Sequence, residues 1–260
     1  MRREMSVAGA FYPKETKEIL RYFDNFNASL EENSSLLEAK SRAVIVPHAG
    51  YVYSGYTANI AYKILAKNDV KNFVVIGPSH RVAFEDVSMC ASNEYLTPFG
   101  AIQKSETIYK ILEKSFGLKE IITHAEHSTE VQFPFIKHYI QDAKIVELVY
   151  GRVDASYLSK IIDMVLNSED CGVIISTDLS HFYNQDVANK LDNICLEAIE
   201  KLDTSLLHKG CEACGILGIE AMMLSAKKEK LSSILLDYRT SSDASGDKSS
   251  VVGYASACFV

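Results

Sequence analysis

The sequence predicts an α/β fold: one domain with a mostly parallel or mixed central sheet and helices on both faces. Three observations predict it. Short apolar runs of strand length alternate with helix-period segments along most of the 260 residues. Three of those runs end in a histidine: His48, His80 and His181. Open α/β sheets bind ligands at that edge, beyond the carboxyl ends of the strands. No linker or internal repeat divides the chain, so residues 1–260 read as a single domain.

Each element has its own pattern. Residues 14–26 carry Ile19, Leu20, Phe23 and Phe26 at helical spacing. The polar stretch 27–40 reads as a loop. A strand over 43–46, a helix over 56–66 and a strand over 73–76 come after it. The interval from His48 to His80 fits one strand-helix-strand unit, so these two strands are expected to be neighbours. A short strand over 86–91 and a helix over 107–116 come next. A helix over 133–140 has an open start. Thr129 and Gln132 have capping-box spacing, but that start puts Pro134 past the first turn, where it is poorly tolerated. Strand 145–149, helix 157–166, strand 173–176 and helices 187–201 and 216–226 continue the alternation. Strands 233–239 and 251–259 close the chain, and their short polar link, 240–250, permits antiparallel pairing.

Composition excludes several function classes. Apolar residues make up 47%, enough for a full core, and the net charge is -7. No basic stripe is present, so nucleic acid is not an expected partner. Met1-Arg2-Arg3-Glu4 is charged and no apolar h-region comes after it, which argues against a signal peptide. No apolar run reaches membrane-span length, and a cytoplasmic protein with no membrane partner is expected. The six cysteines are then expected as reduced thiols. Cys211 and Cys214 form a C-x-x-C with no second pair, which argues against a structural zinc site. They read either as a redox pair or as a loop thiol and a buried thiol.

The candidate chemistry gathers around the histidines. Pro47 ends a strand before His48, and Gly50 lets the backbone turn. Tyr51, Tyr53 and Tyr56 crowd the loop after that turn. His48 reads as a ligand or acid/base, or as a strand-end side chain bonded to a nearby carbonyl. Gly77-Pro78-Ser79-His80 repeats the device. G-x-S-x-G is absent, so Ser79 is a turn former and His80 the functional group. Two neutral imidazoles on strand ends can begin a metal site. Asp178 suits orientation of the His181 ring, and His181 suits a free acid/base. In His124-Ala125-Glu126-His127, His127 is expected in the pocket and His124 on a surface loop. His138 and His208 lie in ordinary amphipathic contexts. Asp243 and Asp247, in the loop before the last strand, could add a carboxylate to two histidines, the facial set of non-haem Fe(II) enzymes. Otherwise that loop is an exposed turn.

Several stretches, in order over nearly the whole chain, resemble the Memo family. They are Ala10-Phe11-Tyr12-Pro13, the run from Val46 to Gly55, Gly77-Pro78-Ser79-His80, Thr97-Pro98-Phe99-Gly100, the run from Glu126 to Gln132, the run from Ser176 to His181, Ala213-Cys214-Gly215 and the run from Ser249 to Ala255. The resemblance implies the α/β/α sandwich of the class III extradiol dioxygenases. It implies metal ligands at His48 and His80 and an acid/base at His181. It places the third ligand of animal members, a cysteine before the last strand, at Ala244 in the best ungapped register. Asp243 or Asp247 would then substitute, or two histidines and water would hold the metal weakly, with Cys214 the next cysteine to examine. The implied cofactor is a divalent metal, Fe(II) first, with zinc or copper as alternatives. Partners implied by the family are a radical SAM protein and a small AMMECR-type protein.

Two functions from different classes fit these residues. One is a dioxygenase-type enzyme for a small molecule. Its catalytic residues would be His181, Asp178 and His127, its metal ligands His48, His80 and Asp243, and its pocket residues Tyr51 and Glu130. The other is a peptide- or protein-binding module that keeps the fold, with metal absent or incidental. A metal-dependent hydrolase is a third option.

Overall fold

The computed structural model describes residues 1–30 and 35–260. In chain order, β1 (Arg2–Arg3), α1 (Thr16–Ala28), β2 (Ala43–Val46), α2 (Tyr51–Leu65) and β3 (Asn72–Pro78) come first. A run of smaller elements is next: β4 (Val87–Cys90), β5 (Glu94–Tyr95), β6 (Ile102–Lys104), α3 (Glu106–Phe116), β7 (Lys119–Ile121), α4 (His127–Glu130) and α5 (Phe133–Tyr139). Then come β8 (Lys144–Tyr150), α6 (Ala155–Leu166), β9 (Cys171–Ser176), β10 (His181–Tyr183), α7 (Gln185–Lys201) and α8 (Thr204–Leu207). The chain closes with α9 (Ile216–Glu229), β11 (Ser233–Thr240), α10 (Ser242–Ser245) and β12 (Val251–Phe259).

The strands form one mixed sheet with the path β1-β5-β6-β8-β3-β9-β2-β12-β10. Its centre, β8-β3-β9-β2, is parallel. β12 runs antiparallel to β2 and to β11. Side chains alternate between two cores, as the two-residue period of a strand requires. Val74, Ile76, Val173 and Ile175 face the helices α3, α6, α7 and α9. Phe73, Val75, Val44 and Val46 face α1, α2 and α5. The result is the expected three-layer α/β/α sandwich. Among the described residues, no helix is long and apolar enough to cross a membrane.

Four differences from the sequence reading bear on function. β2 and β3 are not neighbours, because β9 lies between them. The unit from His48 to His80 therefore leaves a slot that Ser176, Thr177 and Asp178 fill. α2 starts at Tyr51 rather than at residue 56, with Gly50 as its N-cap. Tyr51 is buried against Tyr12, Phe23 and Phe135, so the expected aromatic loop is a helix packing inward. The open start of the helix near Pro134 resolves into two pieces. α4 is a single turn capped by Glu126, and α5 carries Pro134 in its first turn, where no N–H is missed. Finally, Cys195 of α7 and Cys211, just past α8, form a disulfide with Cα atoms 4.9 Å apart. The expectation of six reduced thiols is thereby corrected, and Cys211 is not paired with Cys214. Residues 31–34 of the expected 27–40 loop lie outside the described residues, and Ser35–Glu38 form one 3-10 turn.

Candidate metal centre

β2 ends at Val46, and Pro47 carries the chain to His48, whose side chain is buried. β3 ends at Pro78 and delivers His80, more open to solvent. The third group comes from the loop before α9. One ring nitrogen each of His48 and His80 and the Cys214 thiol lie within 4.8 Å of one another. Cys214 Sγ is 3.4 Å from His48 Nε2. The imidazole centroids of His48 and His80 are 5.2 Å apart, and His127 lies 5.3 Å from the first and 4.5 Å from the second.

The hydrogen bonds fix which nitrogen each ring offers. The Ser176 hydroxyl donates its one hydrogen to the Ser128 carbonyl. Gln132 Nε2 donates to Ser176 Oγ at 2.8 Å and to the Pro47 carbonyl at 2.8 Å. Ser176 Oγ can then only accept from His48 Nδ1, 3.0 Å away. His48 is thus the Nδ1–H tautomer, and its Nε2 lone pair faces Cys214. Burial, then the nearby His80 and His127, hold its pKa well below the usual histidine range, so the ring is neutral. Glu126 does the same for the other two rings. Its Oε1 lies 3.3 Å from His80 Nδ1 and 3.0 Å from His127 Nδ1. Glu126 also accepts from the His80 N–H at 2.8 Å and the His127 N–H at 2.9 Å. Burial acts to raise Glu126, but these bonds outweigh it and hold the carboxyl well below its ordinary range. An ionised carboxylate is acceptor-only, so both rings carry hydrogen on Nδ1 and leave Nε2 free.

Asp178 locks the centre from beneath. Its Oδ1 accepts the His48 N–H at 2.7 Å. Its own N–H donates to Cys214 Sγ at 3.3 Å, and its carbonyl accepts the Cys214 N–H at 3.2 Å. Burial first, then Asp178, push the Cys214 thiol up to about 12, so a thiolate forms there only against a cation. Two imidazole nitrogens and a sulfur fit Fe(II), Zn(II) or copper.

A family model described as Memo-like protein matches residues 3–258. The chain belongs to the Memo family. A MEMO1 family protein of Methanobrevibacter smithii is 36% identical, with 100% of both chains covered. One from Aquifex aeolicus is 34% identical over 99% of both chains. An uncharacterised Escherichia coli K12 protein, JW3007, superposes with a TM-score of 0.57 at 10% identity, covering 84% of this chain and 100% of that one. At that identity the likeness speaks for the fold alone.

The expected site residues of this Memo chain divide into two groups. His48, His80 and His127 come together. His181 opens β10 at the rim, where its charge would oppose one on His48. Asp178 belongs to the centre, but it holds His48 and Cys214 rather than orienting His181. The other expected residues have different surroundings. Asp243 is exposed and caps its own turn, accepting the Thr240 N–H at 2.8 Å. Asp247 and Ala244 are exposed in the same segment. The third group beside His48 and His80 is instead Cys214, from a different loop. Tyr51 is a core residue whose hydroxyl donates to the Val131 carbonyl at 2.9 Å. Glu130 is buried and accepts from Arg3, Val7 N–H, Tyr12 and both the N–H and hydroxyl of Ser6. It anchors the N-terminal segment instead of lining a pocket. His124 is not a surface residue either; it is buried, with Nε2 3.0 Å from Ser88 Oγ and Nδ1 3.5 Å from Glu147. Sequence reasoning missed Glu126, Ser176 and Gln132. The one signal for Glu126 was its place directly before His127.

Proposed function

We propose that this chain is a metal-dependent enzyme of the dioxygenase type that acts on a small molecule. His48, His80 and Cys214 would hold the metal. The observation that carries the reading is the cluster itself: a ring nitrogen of His48, one of His80 and the Cys214 thiol lie within 4.8 Å of one another, and the Nδ1 contacts with Ser176 and Glu126 leave each ring's Nε2 free. When bound there, Fe(II) supplies one-electron chemistry with O₂; zinc or copper are the alternatives for the same donors. His127 keeps its Nε2 free beside the ligands while Glu126 holds its Nδ1–H, so it can take a proton from a substrate and keep it. His181 at the rim is a second acid/base. Asp178 keeps His48 and Cys214 in register.

The test is metal analysis of protein purified without oxygen, followed by anaerobic Fe(II) titration. One Fe(II) per chain is expected. His48→Ala, His80→Ala and Cys214→Ser should each lower affinity at least about 100-fold, while His181→Ala should keep it within a few-fold. Unchanged affinity in all three ligand variants would sink the reading.

A second reading is a peptide- or protein-binding module. It is favoured by apolar side chains beside the centre: Val52 and Tyr53, just after His48, and Phe182, just after His181, are exposed by 53%, 42% and 77%. Its partners would be the radical SAM and AMMECR-type proteins that the family resemblance implies.

A further inference from the structure

Beside the His80 loop lies a cavity of about 350 Å³ that the metal centre does not use. Val82, Phe84, Ile121 and Val149 give it apolar walls. Volume and lining are those of a small-molecule site. Its charge pattern narrows the ligand. Arg81 and Lys119 both line the cavity. Among the described residues, neither has a hydrogen-bond or ion-pair partner. Three acids near in sequence to the cavity wall or on it are engaged. Glu85 pairs with Arg152, and Glu120 accepts the Tyr109 hydroxyl. Glu126, the one acid on the cavity wall, is held by His80 and His127. A chain of net charge -7 thus presents two uncommitted cations to one apolar cavity. Such a pairing selects a ligand with an apolar body and an anionic end.

We propose that this cavity is a binding site for a small carboxylate with an aromatic or aliphatic body. Its carboxylate meets Arg81 and Lys119, and its body lies against Val82, Phe84 and Ile121. The site does not depend on a bound metal, so the metal-free full chain is the right test object.

The probe is 2-naphthoate, followed by fluorescence, with neutral 2-naphthalenemethanol as its uncharged match. Wild type should bind naphthoate at least about tenfold tighter than the alcohol, a gap of about 1.4 kcal/mol. The double variant Arg81→Gln, Lys119→Gln should lose at least about tenfold for naphthoate and bind the alcohol as before. Both positions are exposed, so folding should survive, and a thermal melt checks it. His48→Ala should bind naphthoate like wild type. The proposal is overturned by equal binding of acid and alcohol, by an indifferent double variant, or by no saturable binding of naphthoate. Loss of naphthoate in His48→Ala also overturns it, because the probe would then sit in the metal centre.

Discussion

At Ser176 a single hydroxyl decides which nitrogen of His48 meets Cys214. Its hydrogen goes to Ser128, and Gln132 holds it in place, so it can only accept from the ring. Ser176→Ala should leave the fold intact and lower metal affinity by about 10- to 100-fold, measured by competition with a chelator. Affinity equal to wild type would show that the tautomer is set by something else. Gly215 acts by being small. A Cβ there would meet Thr177 Cβ at 2.6 Å and Oγ1 at 2.7 Å, both on the loop that carries Asp178. Gly215→Ala should therefore displace Cys214 and weaken metal binding, while the exposed Gly100→Ala, strained but remote, should lower only the melting temperature. If both variants bind metal alike, the close approach at Gly215 is not what seats the thiol. His48 and His80 are legible in the sequence because each comes just after a strand end. Cys214 is marked only by the Ala213-Cys214-Gly215 stretch and its C-x-x-C spacing, and nothing local says that its loop, remote in sequence, meets the two histidines. Asp243 carries the opposite lesson. Its local pattern suggests a ligand, but its carboxylate is used to cap its own turn.

Among the elements, the N-terminal segment is the least expected. Arg3 is 1% exposed, and it pairs with Glu130 of α4 and Glu147 of β8. Glu130 also accepts from Ser6, Val7 and Tyr12, which straps residues 3–12 to the helix that begins with His127. Glu130→Ala leaves Arg3 and two main-chain donors poorly satisfied, and should cost about 3–5 kcal/mol in urea unfolding. A loss below about 1 kcal/mol would mean that the strap relaxes into water. Glu147 adds a pH dependence. Burial alone would raise its pKa; the Arg3 charge, then His124 3.5 Å away and a hydrogen bond from Thr129, bring it down to about 2. A carboxyl lowered by folding stabilises the native state above its unfolded pKa, near 4.5, and loses that contribution as pH falls toward 2. Stability should drop across that window by up to roughly 3 kcal/mol, and Glu147→Gln should flatten the curve. An unchanged slope in the variant would assign the acid sensitivity elsewhere. The long strands β2, β3, β8, β9, β11 and β12 are readable because each is an apolar run of sufficient length. β1, β5, β6, β7 and β10 have two or three residues each, too few for any period to register. The start of α2 is hidden because aromatic side chains crowd a loop and a buried helix turn equally well.

For the whole molecule, the Cys195–Cys211 bridge closes a loop between α7 and the segment that leads to Cys214. A loop of that length contributes about 3 kcal/mol by limiting the unfolded chain. Reductant should lower the urea midpoint of wild type and leave Cys195→Ser unmoved; a wild-type midpoint that ignores reductant would mean that the bridge adds nothing. The layered fold itself is legible, since the alternation of strand and helix periods spans the chain. Sheet order is not, because β9 enters between β2 and β3 from far along the sequence. The place of β12 has a consequence for biosynthesis. This strand is made after both of its partners, β2, which leads to His48, and β10, which begins at His181. Until residue 251 and those after it have left the ribosome, β2 has a bare apolar edge, and β10, with His181, has no strand partner. A chain grown only as far as β11 therefore lacks the strand that joins the His48 and His181 segments, and the candidate centre is completed only when β12 docks.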